Sequence, residues 1–187
     1  FPSTEELNIL KPLKHLLREG VLSENVASAA VSSTKQLDRK NLRLASKLLD
    51  EAGWEVGDDG LRKNNKGETL DVEILNDSQA FTRIIEPFIE NLKALGVNAK
   101  HTKIDNAQMT ERERSFDFDI IVGNFPMSFT PGSGLKQYFG SETADVSIFN
   151  KAGIKREAID ALIEIVMAAE TRDDLKVSVR ALDRILR

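Results

Sequence analysis

Residues 116–131 read FDFDIIVGNFPMSFTP, and the rest of the chain is organised around the change of character at the centre of this stretch. Residues 118–122 are short, β-branched and almost continuously apolar, the pattern of a central strand in a parallel sheet covered on both faces. Gly123 then admits an unusual backbone angle or a close approach, while Pro126 and Pro131 lack the N–H that would continue a ladder. Ligands of open α/β sheets collect beyond the carboxyl ends of such strands, which makes residues 123–131 the expected ligand-facing surface.

Upstream of this strand the sequence predicts two more. LDVEIL at residues 70–75 reads as the first core strand, and residues 97–104, with fewer apolar positions, as an edge or half-exposed one. Between them Asp77 or Ser78 can cap a helix that carries Phe81, Ile84, Ile85, Phe88, Ile89, Leu92 and Leu95 and stops at Gly96. Pro87 inside it predicts a kink, at about 3 kcal/mol if nothing compensates. A short charged helix starting at Asn106 or Thr110 precedes the third strand, and its run from Glu111 to Arg114 is expected to face solvent. This β-α-β-α-β order implies a parallel sheet.

The flanks are helical. Ser3 and Glu6 have capping-box spacing ahead of a short helix ending near Pro12, whereas residues 20–40 show no sustained period and are expected to wrap the fold as an extended connection. Asn41 can cap the next helix, in which Leu42, Ala45, Leu48, Leu49 and Ala52 make one stripe and Gly53 is the stop. Trp54 reads as a packing residue at the helix end. After Pro131 a Gly- and Ser-rich loop holds a short helix around Tyr138 and Phe139, and two amphipathic helices occupy residues 155–169 and 173–187. These features divide the chain into an arm and connection, 1–40, and an α/β lobe, 41–187.

Composition narrows the chemistry. With 187 residues, 41% hydrophobic and 30% charged, the chain can build a real core, and it has no apolar run near the ~20 residues of a membrane span. The 26 Lys and Arg against 30 Asp and Glu give a formal charge of -4, which supplies no field for nucleic acid. The absence of cysteine excludes disulfides, zinc-thiolate sites and thiol catalysis. His15 and His101 lack a second ligand at helical spacing, so no metal is expected, and no phosphate loop, dinucleotide motif or nucleophile elbow follows a strand, so no cofactor is expected either. Asp117 and Asp119 fall on one strand face, where acid–base work is conceivable, but strand-flanking polar roles are the expected ones. The chain is not expected to be an enzyme.

Two known patterns are similar to residues 116–131. Asp119, the apolar run 120–122 and nearby Pro126 resemble the phosphoacceptor strand of receiver domains, but Gly123 stands where the nucleophilic carboxylate belongs, which leaves at most a receiver-like domain without its chemistry. The stretch also resembles the C-terminal lobe of peptide-binding proteins of bacterial ABC transporters, extracellular solute-binding family 5, in which an FD-x-apolar strand leads to Trp, an Asp-aromatic pair and Pro. Phe118 and Asp119 begin the strand here, Phe125 stands for the Trp, Ser128 and Phe129 for the pair, and Pro131 closes it with one residue fewer. NLRLASKLLDEAGW, residues 41–54, is similar to the same family's helix before the first strand of that lobe.

The resemblance implies an α/β lobe of the periplasmic-binding-protein type II kind, three-layered with a mainly parallel sheet. It implies non-catalytic capture of a peptide or peptide-like solute between two lobes, a monomer, a membrane permease as partner, and a periplasmic location. The ligand-binding residues it implies are Asn124, Phe125, Pro126, Ser128 and Phe129. Ser128 departs from the pattern, since a hydroxyl offers no counter-charge to a peptide's amino end. The opening Phe1-Pro2-Ser3 shows no signal peptide, so either one has been removed or the chain is an internal fragment, and the final helix stops at Arg187 where family members continue, so a fragment is expected.

Overall fold

The computed structural model describes residues 1–126 and 130–187. Its contacts divide the chain into two compact units, Ala29–Gly123 and the discontinuous pair Phe1–Ser28 with Asn124–Arg187. Its alternating helices and parallel strands agree with the expected α/β class.

The chain opens on α1 (Thr4–Leu10), and the expected capping box is present: Ser3 Oγ accepts from the Glu6 N–H at 3.2 Å and Glu6 Oε2 from the Ser3 N–H at 2.6 Å. A 3-10 turn, Lys11–Leu16, follows with Pro12 in its first turn, where the missing N–H removes no helical bond. Helix α2 (Arg39–Glu51) begins two residues earlier than Asn41 would have it. Asp38 is the cap, its Oδ1 accepting from Lys40 and Asn41 N–H groups at 3.0 and 3.1 Å, and Asn41 instead donates from Nδ2 to the Val31 carbonyl at 3.1 Å.

Strands β1 (Glu55–Val56) and β2 (Arg62–Lys63) pair antiparallel, and β3 (Asp71–Asn76) is the centre of a separate sheet. Helix α3 (Gln79–Ala94) returns the chain to β4 (Asn98–Lys103), and α4 (Asn106–Arg114) to β5 (Ile120–Ile121). The order β4-β3-β5 is parallel throughout, with Ile74 opposite both His101 and Ile120. The strand at 118–122 is therefore an edge, not the expected central strand, and Ile120 is 38% exposed. Its pairing begins late because Asp119 Oδ2 accepts the Glu73 N–H at 2.8 Å, occupying with a side chain a group the ladder would otherwise use.

Helix α3 runs through Pro87 and buries Ile85 and Ile89 with Ile74, Val97 and Ala99. The broad apolar face is only half used, since Phe81, Ile84 and Phe88 stay 40–60% exposed. Gly96 ends the turn after α3 at φ +83°, and a Cβ there would stand 2.8 Å from the Gly60 carbonyl oxygen, so the approach of the two loops requires glycine.

That approach delivers Arg62, which is 0% exposed. Its Nε donates to the Leu95 carbonyl at 2.6 Å, one terminal nitrogen to Asp50 at 2.7 Å and to the Trp54 carbonyl, and the other to Ser46 Oγ at 2.6 Å. A charge this deep persists because its donors are satisfied by fixed acceptors.

The other unit is helical. Helices α5 (Gly134–Phe139), α6 (Glu157–Met167) and α7 (Arg172–Leu186) surround a core in which Leu10, Leu162 and Ala181 are fully buried, with Tyr138, Phe139 and Val166. Val21 also lies in this core, and Arg184 donates to the Glu24 carbonyl at 2.9 Å, so the start of the segment expected to wrap the fold helps to fill it. Residues 25–33 carry no helix or strand, as expected of a connection.

Candidate functional site

Beyond β5 the chain passes Val122 and Gly123 and enters the helical unit at Asn124. Asn124, Phe125 and Pro126 are exposed; Ser128 and Phe129 lie outside the described residues. Helix α5 positions Phe125. The Phe125 ring meets Tyr138 edge to face with centroids 5.7 Å apart and Phe139 at 5.4 Å, and the Tyr138 hydroxyl donates to the Pro126 carbonyl at 3.4 Å. Both partner rings are 8% exposed, whereas Phe125 is 48% exposed. A buried pair thus holds one ring half in water.

Helix α5 is itself fixed from below. Lys136 Nζ lies 2.5 Å from Glu164 Oε1 of α6, a contact that raises the lysine pKa, and the Ser141 N–H donates to Asp160 Oδ1 at 2.8 Å. A cavity of about 240 Å³ opens between these groups, with Glu142 and Thr143 on its wall. Its lysine and aspartate are committed to contacts within the fold.

The aromatic residues behind Phe125 were not singled out as site residues by sequence. Tyr138 and Phe139 end the short helix α5 within a Gly- and Ser-rich sequence without periodicity, and Phe149, 6.0 Å from Tyr138 and 42% exposed, lies further along it. Three aromatics within twelve residues of such a sequence were the available signal.

The carboxylates near the strand hold structure. Asp117 Oδ2 lies 2.9 Å from Arg112 Nε, and Asp119 is spent on the Glu73 N–H. Glu73 collects Arg112 at 2.7 Å, Lys100 at 3.0 Å and the Thr102 hydroxyl at 2.7 Å. Led by the Arg112 hydrogen bond, these contacts hold its carboxyl at about 2, far below its ordinary value. Arg112 therefore turns inward from a helix face expected to be wholly solvated. His101 Nδ1 pairs with Glu86 Oε1 at 2.6 Å, and among the described residues no cluster of three potential ligands could hold a metal. Among them, too, no helix is long and apolar enough to cross a membrane.

Comparison with known proteins adds the lineage. The sequence pattern of the middle region of bacterial extracellular solute-binding proteins, family 5, matches residues 17–146. A probable peptide-binding protein, YejA, of Agrobacterium fabrum is 39% identical over the whole of this chain, which covers 30% of that protein. The chain likewise spans about 30% of the length of the other curated relatives first matched. Among solved structures, the oligopeptide-binding protein AppA of Bacillus subtilis, in complex with a nonapeptide, superimposes with a TM-score of 0.65 at 18% identity over 97% of this chain and 36% of that one. NikZ of Campylobacter jejuni, in complex with Ni(L-His), gives 0.70 at 14% identity over 98% and 37%. These structures show the fold alone. The receiver-like reading finds no support. On the extent of the family pattern, which takes in most of its residues, the chain belongs to the bacterial extracellular solute-binding proteins of family 5.

Proposed function

We propose that this chain is part of the substrate-binding component of an ABC transporter, which captures a peptide or related solute between two lobes in the periplasm without catalysis or cofactor. The observation that carries the reading is the exposed segment Asn124–Phe125–Pro126 beyond the carboxyl end of β5, with Phe125 held half in water by buried rings. The names of the relatives, a probable peptide-binding protein and an oligopeptide-binding protein among them, supply the ligand class. Asn124, Phe125, Pro126, Ser128 and Phe129 are the proposed contacts. Ligand binding favours a closed state over an open one, and a membrane permease reads that state from a monomer. The isolated chain carries part of the contacts and binds weakly, because the loss of ligand freedom is offset by one surface only.

Ser128 gives the test. In related peptide binders an Asp at the matching position holds the peptide's amino end; a hydroxyl there cannot supply the charge. In the full-length protein, N-acetylation of a peptide is expected to change wild-type affinity less than about threefold, and Ser128→Asp to favour the free amine by about tenfold, a charge-assisted bond of roughly 1.4 kcal/mol. Titration calorimetry with matched peptides reads both. Acetylation that weakens wild type a hundredfold, with no gain in the variant, removes Ser128 from the site.

A further inference from the structure

Phe149 precedes a buried polar residue, Asn150, that anchors the loop on both sides. Asn150, with no exposed surface, donates from Nδ2 to the Gly140 carbonyl at 3.1 Å and to the Ile154 carbonyl at 2.9 Å, while its Oδ1 accepts the Ile154 N–H at 2.9 Å. The Phe149 N–H itself donates to Ser147 Oγ at 3.2 Å. The loop is thereby fixed to the end of α5 on one side and to the approach to α6 on the other. From it the Phe149 ring reaches Tyr138 edge to face, 81° between planes, on the same ring that Phe125 meets at 89°.

Two half-exposed phenylalanines thus share one buried tyrosine as their base. Apolar surface that packing fixes in water gains free energy only when a further apolar group covers it. Rings whose orientation is already set lose little conformational freedom when that happens. Lys155 pairs with Asp145 at 2.6 Å and Lys136 with Glu164 at 2.5 Å, so these two cations are committed within the fold.

We infer that Phe125, Tyr138 and Phe149 form an aromatic platform that takes an apolar or aromatic side chain of the bound solute, with Phe149 as its specificity-determining residue. The inference rests on the solute-binding reading above, and it names the class of ligand group that the site prefers.

The test uses the full-length protein and two mixtures of free peptides two to five residues long, one of alanine alone and one with a single phenylalanine in each peptide. Wild type is expected to bind the phenylalanine mixture at least tenfold more tightly, and Phe149→Ala to reduce that ratio to within about twofold. Should Phe149→Ala fail to fold, Phe149→Leu decides, because leucine keeps bulk against Tyr138 and removes the ring; the ratio is expected to fall at least threefold. Peptide binding with no preference in wild type, or a preference that survives the substitution, overturns the platform and leaves the solute-binding reading standing. Binding of neither mixture overturns the platform together with the peptide as ligand class.

Discussion

The continuous unit, Ala29–Gly123, and the discontinuous one, Phe1–Ser28 with Asn124–Arg187, solve the same problem with different means. The first builds a small parallel sheet whose apolar core is modest, and holds its loops with charge: Arg62 at the junction of β2, α2 and the turn after α3, and Glu73 between β3, β4 and α4. The second contains no strand among the described residues and relies on a wide helical core reaching from Leu10 to Ile185. The unit that carries the fold-defining strands is thus not the one that carries the exposed aromatic segment. Within the second unit, helix packing holds the candidate segment.

The only tryptophan, Trp54, lies in the first unit and the only tyrosine, Tyr138, in the second, so the two can be followed separately. The largest effect is expected from Arg62→Ala, which strands the Leu95 and Trp54 carbonyls, Asp50 and Ser46 around a void. A loss of about 3–5 kcal/mol is expected in the urea transition reported by Trp54 fluorescence, with a smaller shift in the Tyr138 near-ultraviolet signal. Equal shifts in both would mean that the units unfold as one block, and the contrast would not extend to stability.

Next comes acid. Because the Glu73 carboxyl is held at about 2 against an ordinary 4.5, the stability it contributes is complete above its unfolded value and is lost as pH falls from about 4.5 toward 2. Solvent screening of its partly exposed partners keeps the loss below about 3 kcal/mol. Glu73→Gln should flatten that limb of the Trp54 transition while leaving the Tyr138 limb as it was. An unchanged acid limb in the variant would assign it to other carboxylates. The smallest effect belongs to Ser3→Ala in the helical unit, where loss of the capping box is expected to remove about 1 kcal/mol. Differential calorimetry should detect it as a shift of a few degrees, and no shift would mean that core packing alone holds α1.

Where local rules decide the structure, the sequence was readable. The Ser3–Glu6 box needs only residues three apart, and the β-α-β-α-β order follows from alternating periods. Where distant partners decide, it was not. Nothing near Leu61-Arg62-Lys63 announces a buried guanidinium, because its acceptors come from residues 46, 50, 54 and 95. The late start of β5 depends on a backbone donor 46 residues away. In the candidate site Phe125 was legible from the strand end, but Tyr138 and Phe149 were not, since three-dimensional contact and not periodicity joins them to it.

The division of the helical unit also sets a timetable. Helix α1 and Leu10 are made before residues 29–123, yet the surfaces they pack on belong to α6 and α7, which are made after them; Arg184 meets Glu24 across 160 residues of chain. Unit Ala29–Gly123 has no such wait, since every contact inside it closes over shorter loops. During synthesis α1 therefore waits, with Leu10 short of its partners, for α6 and α7, while unit Ala29–Gly123 already has all of its own residues.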